Sequence, residues 1–160
     1  MAITTGEQIP DVPLRTMGPD GPQPLSSREA LGTGKVVLFA VPGAFTPTCS
    51  DYHLPGFVLR AEELRAAGVD KVACISVNDA YVMNAWGESR QVGETVQMLA
   101  DGNGDFAKAM GLERDASGNG LGLRSQRYAA IIDDGVISHL AVEEKGLDVS
   151  SADSILKALG

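Results

Sequence analysis

The chain has 160 residues, 44% of them hydrophobic and 21% charged, the composition of a folded globular protein rather than a disordered one. A formal net charge of -8 and a pI near 4.6 exclude the Lys/Arg-rich surface that nucleic acid or anionic membrane binding draws on. No apolar run reaches membrane-spanning length, and two cysteines, Cys49 and Cys74, are too few for a disulfide-stapled scaffold.

A single domain over residues 1–160 is the expectation, and a chain of this size buries roughly 70% of its unfolded surface. The start, Met1 to Gly6, is neither basic nor strongly apolar, so it reads as a mature N-terminus. The expected setting is therefore cytoplasmic and reducing, where thiols are more often catalytic than structural.

In chain order, Gly18 to Gly34 is rich in Gly, Pro and Ser and reads as a surface loop. Lys35 to Val41 is a nearly continuous apolar run bounded by Gly34 and Pro42-Gly43, the pattern of a buried strand. From Cys49 the period turns helical, with Leu54, Phe57, Val58, Ala61 and Leu64 on one face and Gly68 as the stop. Pro55 inside this pattern predicts a kink or a delayed start to the regular helix. Lys71 to Val77 is a second buried strand, which a helical crossover allows to run parallel to the first.

A helix follows over Ala80 to about Ser89, with Tyr81, Val82, Ala85 and Trp86 as an apolar stripe for the core or, in part, for a partner subunit. Val96 to Ala100 is a third strand, Asp105 to Met110 a short helix, and Glu113 to Gly122 a polar loop. Arg127 to Ile132 and Val136 to Val142 flank Asp133-Asp134-Gly135, the signal for an antiparallel hairpin. Ser150 with Asp153 resembles the capping start of a last helix ending at Leu159. The order predicts the α/β class, a central mixed sheet flanked by helices and compatible with a thioredoxin-like fold.

Cys49 stands where the strand-to-helix run Val41-Pro42-Gly43-Ala44-Phe45-Thr46-Pro47-Thr48 enters the helix. The unpaired N–H groups and dipole of a helix start favour a thiolate over a thiol. A C-x-x-C redox motif is excluded by Tyr52, and a phosphatase-type loop by Pro55 where an arginine is required. His53, one turn on, makes a Cys/His metal or catalytic pair conceivable, but two further ligands are missing and His139 falls in a strand.

The spacing Pro42-x-x-x-Thr46-x-x-Cys49 resembles the peroxidatic motif of the peroxiredoxins. With His53-Leu-Pro-Gly-Phe57, Val72 to Asp79, Trp86-Gly87, Leu99-Ala-Asp101 and Arg127, the chain looks like the peroxiredoxin 5 (type II) subfamily over nearly its whole length. The resemblance implies a thiol peroxidase that reduces hydrogen peroxide and small organic hydroperoxides through a sulfenic acid on Cys49. It implies that the Thr46 hydroxyl contacts sulfur and peroxide, that Pro42 shields the pocket, and that Arg127 keeps sulfur ionised and stabilises developing charge. It implies no metal, haem or flavin, and type II relatives pair as homodimers through surfaces near the active site.

Each residue alone also has a plain structural meaning. Thr46 or Thr48 makes an N-cap, Pro42 ends a strand, and Arg127 with Arg124 decorates a surface. Cys74, mid-strand, reads as a small hydrophobe. Relatives with a resolving cysteine carry it in the segment matching Gly146 to Ser150, which has none here. The expectation is a one-cysteine enzyme recycled by glutathione and glutaredoxin rather than thioredoxin alone, with Cys74 an occasional partner at most. A thiol-disulfide oxidoreductase and a non-catalytic redox sensor or chaperone on the same fold are the rival readings. Asp101-Gly-Asn-Gly-Asp105 begins like a calcium loop but lacks the turn glycine at Phe106 and the bidentate acid at Leu112.

Overall fold

The apolar run beginning at Lys35 forms an interior strand of a seven-stranded sheet in the computed structural model, which describes all 160 residues. That strand, β3 (Lys35–Ala40), runs parallel to β4 (Lys71–Ser76), and β4 runs parallel to β5 (Gln97–Ala100). On its other side β3 pairs antiparallel with β8 (Tyr128–Asp133), which pairs antiparallel with β9 (Val136–Val142). The sheet is completed by a hairpin of β1 (Pro13–Gly18) and β2 (Gly21–Ser26), giving the order β2-β1-β5-β4-β3-β8-β9. This is a mixed sheet of the thioredoxin-like kind.

Continuous burial along β3 and β4 follows from apolar cover on both faces. Val37, Phe39, Val72 and Cys74 point to one layer, which takes in Leu54 and Phe57 of α2 (Leu54–Leu59) and Leu64 of α3 (Ala61–Ala66). The same layer holds Met83 and Trp86 of α4 (Ala80–Ser89) and Ile155 of α6 (Ala152–Leu159). Val36, Leu38, Ala73 and Ile75 point to the other, with Leu31 of α1 (Ser27–Leu31) and Phe106 and Met110 of α5 (Asp105–Met110). The alternation along each strand thus feeds two cores rather than one core and solvent.

Four expectations are corrected. Gly18 to Gly34 is not a loop: it holds β2 and α1, and Pro22 and Pro24 are tolerated because β2 is the sheet's edge. The Ser26/Glu29 capping box that starts α1 was readable in the sequence. Glu113 to Gly122 likewise contains β6 (Glu113–Asp115), paired with β7 (Leu123–Ser125). The buried stripe of α4 is Ala80, Met83, Trp86 and Gly87, while Tyr81 and Ala85 face solvent, so the apolar face is turned by one residue from the expected one. The cap of α6 is Ser151, whose hydroxyl accepts from the Ser154 N–H; Ser150 is buried and bonded elsewhere.

Pro55 has the delaying effect. Between Cys49 and His53 the helix takes a π turn in which the Leu54 N–H bonds back to the Cys49 carbonyl, and the regular α2 begins only at Leu54. Proline offers no N–H of its own, and single π turns of this kind concentrate at functional sites.

Candidate active site

The loop after β3 is pinned before it reaches Cys49. The Ala44 N–H donates to Asn78 Oδ1 at 3.0 Å, and the same oxygen accepts the Ser76 hydroxyl at 2.6 Å. Phe45 turns the chain at φ 64°, a left-handed conformation uncommon for a non-glycine residue. Gly43 permits close packing here, since a Cβ would meet the Thr46 methyl at 3.2 Å and Arg124 Nη1 at 3.3 Å. The Thr46 carbonyl then accepts from Ser50 N–H at 2.9 Å, and Trp86 Nε1 donates to Ser50 Oγ at 2.9 Å, tying the helix start to α4.

This holds Cys49 in the first helical turn with its sulfur fully covered. Arg127, the residue before β8, reaches it from across the sheet: Nη2 donates to Cys49 Sγ at 3.0 Å. Nη1 of the same guanidinium lies 2.8 Å from His53 Nδ1, and His53 Nε2 lies 2.9 Å from the Ser150 carbonyl oxygen. A carbonyl only accepts, so the ring proton belongs on Nε2 and Nδ1 is the bare acceptor for Arg127.

Burial drives the His53 pKa down to about 3, and the neighbouring positive charge of Arg127 adds to it, so the ring is neutral at physiological pH. Phe39 and Phe57 supply much of that burial, stacking at 4.2 Å with the His53 ring centroid 4.9 Å from Phe39. Ser150 is fixed in turn by Glu143, whose Oε2 accepts from the Asp148 N–H (2.6 Å), the Ser150 N–H (2.8 Å) and the Ser150 hydroxyl (2.7 Å). Burial pushes the Glu143 carboxyl up, but these bonds to its charged form outweigh it and hold it below the usual range. A linked chain runs from Cys49 through Arg127, His53 and Ser150 to Glu143.

Of the residues picked from sequence, Cys49 and Arg127 are in direct contact, and Pro42 lines the cleft beside Arg127 and Thr48. The Thr46 hydroxyl donates to the Gly43 carbonyl at 2.6 Å rather than to sulfur, which leaves its lone pairs to accept. Arg124 is committed elsewhere, to the Leu121 and Val77 carbonyls. Ser150 and Glu143 carry no site signal in the sequence, and His53, which there suggests at most a pair with Cys49, bonds to Arg127 instead. The spacing of His53 from Cys49 puts the ring on the right helix face, but nothing in the sequence indicates that its partner is an arginine 74 residues on.

Cys74 faces the same layer as Cys49 but lies mid-strand opposite Phe39 and Met98, and burial pushes its thiol well up, with the nearby Cys49 adding to the shift. Asp101 is a helix cap, not a cation ligand: its carboxylate accepts from the Phe106 and Ala107 N–H groups at 3.0 and 2.9 Å. A sulfur nucleophile with a permanently charged, forked donor at 3.0 Å suits a displacement in which negative charge leaves sulfur for an adjacent atom.

The sequence matches the Redoxin family over residues 4–156. It is 52% identical to peroxiredoxin-2E-2, chloroplastic, of Oryza sativa subsp. japonica, covering 98% of this chain and 72% of that one. It is 46% identical to peroxiredoxin-2B of Arabidopsis thaliana, covering 98% of both. The fold superposes on the crystal structure of reduced Prx3 from Vibrio vulnificus in complex with hydrogen peroxide, with a TM-score of 0.94, 52% identity and 99% of both chains covered. Peroxiredoxin 5 from Alvinella pompejana matches at a TM-score of 0.88 and 32% identity, over 98% of this chain and 97% of that one. With a covered cysteine under an arginine at a helix start and relatives of this kind over its full length, the chain belongs to the peroxiredoxins, thiol-dependent peroxidases of antioxidant defence, in the type II (peroxiredoxin 5) group.

Proposed function

We propose that this peroxidase works through one cysteine, Cys49, and is returned to the thiolate by glutathione and glutaredoxin. The observation that carries the reading is the placement of Cys74. It is the only other thiol, it is fully buried in the sheet with its pKa raised by that burial, and Val149 and Ser150 occupy the segment where a resolving cysteine would be expected. A disulfide needs a thiolate attacker with access, and Cys74 has neither.

In the proposed cycle the Cys49 thiolate attacks the nearer oxygen of the hydroperoxide in line. The S–O bond forms as the O–O bond breaks, and the departing oxygen leaves as water or alcohol after taking a proton. Arg127 holds sulfur through Nη2 and stabilises charge as it moves onto the oxygens, the Thr46 hydroxyl accepts from the peroxide O–H, and Pro42 screens the site from water. External thiols then reduce the sulfenic acid.

The reducing, cytoplasmic setting we infer is one in which two free thiols persist. A homodimer through the face near the active site is supported by two exposed aromatics within four residues of Cys49, Phe45 at 54% and Tyr52 at 68%, with the Phe45 ring 6.5 Å from Trp86. Intact mass spectrometry after one equivalent of peroxide tests the cycle. One added oxygen followed by a glutathione adduct is expected; a stoichiometric Cys49–Cys74 disulfide reduced by thioredoxin would overturn it.

A further inference from the structure

The cleft that opens beside Arg127 has a volume of about 520 Å³, within the range of small-ligand sites, and no hydrophobic residue lines it. Besides Pro42 and Thr48, its walls come from three segments joined by backbone hydrogen bonds. Gln126 N–H bonds to the Leu112 carbonyl at 2.8 Å, and Glu143 N–H bonds to the Arg127 carbonyl at 2.9 Å. The stretch at Glu113 and Arg114 therefore flanks Arg127 on one side, and the stretch at Glu143 to Lys145 flanks it on the other.

Two of the cleft's charged groups are already used inward, Arg127 on Cys49 and His53, Glu143 on Asp148 and Ser150. Four remain: Glu113, Arg114, Glu144 and Lys145 are exposed, and none of their side chains makes an ion pair or hydrogen bond. The cleft beside Arg127 therefore offers two cations, Arg114 and Lys145, and two carboxylates, Glu113 and Glu144, that are free to meet a ligand carrying both signs of charge.

We infer that this cleft is the glutathione site, with Arg114 and Lys145 receiving the two carboxylates of the tripeptide and Glu113 or Glu144 its ammonium group. The inference rests on the one-cysteine reading above. Two strand spacings separate the flanking segments, about 10 Å, and an extended tripeptide spans on the order of 10 Å between its ends. Bound across Arg127, glutathione holds its central thiol beside the guanidinium that contacts Cys49. Its thiolate attacks the sulfenic sulfur, forming S–S and breaking S–O, and the oxygen leaves as hydroxide that takes up the glutathione thiol proton to give water. A second thiolate, from glutathione or glutaredoxin, attacks the glutathione sulfur and releases the Cys49 thiolate. Two thiols are oxidised to one disulfide as the sulfenic acid is reduced.

The experiment follows the reaction of preformed Cys49 sulfenic acid with glutathione by stopped flow, alongside the uncharged dithiol dithiothreitol. Arg114→Glu and Lys145→Glu should each slow glutathione capture roughly fivefold, the effect of turning a solvent-screened attraction into a repulsion, and the pair together more. Dithiothreitol capture should stay within about twofold, and so should glutathione capture by Arg65→Glu, an exposed control for net charge. Glutathione with both carboxylates esterified should react slowly with the unaltered protein and lose nothing further in the variants. If the unaltered protein forms the adduct but the reversals or the ester leave its rate unchanged, the cleft assignment is overturned while the one-cysteine reading stands. If the unaltered protein forms no adduct, both fall.

Discussion

Cys49 and Cys74 are both fully buried and share one apolar layer, yet in the proposed cycle one is the working sulfur and the other is part of the wall. Exposure does not distinguish them. Cys49 lies in a helix's first turn with Arg127 Nη2 at 3.0 Å, whereas Cys74 is held between Phe39 and Met98 in adjacent strands, and no hydrogen bond reaches its sulfur. Burial without a donor makes a thiolate costly, and at Cys49 the Arg127 guanidinium supplies a charged donor where Cys74 has none. The difference between the two regions is one arginine and the groups that aim it.

The largest test of that contrast is Cys49→Ser, expected to abolish peroxide consumption in a steady-state assay with dithiothreitol, because an alcohol is not ionised near neutral pH. Substantial residual turnover would remove Cys49 from the centre of the reaction. Next comes Arg127→Ala, which should slow stopped-flow oxidation of Cys49 by roughly 10², the cost of one preorganised donor in an enclosed site. A rate near that of the unaltered protein would mean that the helix start alone activates the sulfur.

Much of this contrast was legible in the sequence, and the unread part has a common cause. The Pro42 to Cys49 string placed the sulfur at a strand-to-helix turn, and the apolar runs placed β3, β4, β8 and β9, because local pattern and burial agree there. Arg127 was named only through family resemblance, since nothing local separates it from Arg124. His53 and Ser150 join the site through contacts 74 and 97 residues apart in sequence, Glu143 joins through the loop it shares with Ser150, and such pairings leave no periodic trace. The β1-β2 hairpin was missed because its prolines, allowed at an edge, look like loop residues when the sheet order is unknown.

The guanidinium is aimed by His53, and a third variant sharpens the comparison there. His53→Leu removes the acceptor for Arg127 and the donor to Ser150, and should slow peroxide reaction about tenfold, short of losing the arginine itself. His53→Gln, with an amide that both accepts and donates, should recover most of it. The two also differ from the unaltered protein in pH dependence. A histidine held neutral with a pKa of about 3, against an ordinary 6.5, leaves the unfolded state binding the extra proton between those values. Its contribution to stability is full above about pH 6.5 and falls by up to ~1.4 kcal/mol per pH unit as the pH drops towards 3. Urea midpoints at pH 7, 5.5 and 4.5 should therefore fall less steeply for His53→Gln, and equal slopes would mean that His53 is not held neutral.

The smallest expected effect lies at the other cysteine, and its smallness is the content of the prediction. Cys74→Ala takes one sulfur atom out of a close-packed layer between Phe39 and Met98, leaving a void that costs on the order of 1 kcal/mol in urea unfolding. Turnover with glutathione and glutaredoxin should stay within about twofold, because Arg127, His53 and the helix start depend on neither this side chain nor its proton. Its raised pKa adds an independent readout. At pH 8 iodoacetamide should label Cys49 in the native protein much faster than Cys74, since alkylation needs a thiolate and only Cys49 has a cationic donor against its sulfur. Native labelling of Cys74 at a rate comparable to Cys49, or turnover that collapses in Cys74→Ala while the fold survives, would make the second sulfur a participant. The arginine would then be one of two ways this layer activates a thiol.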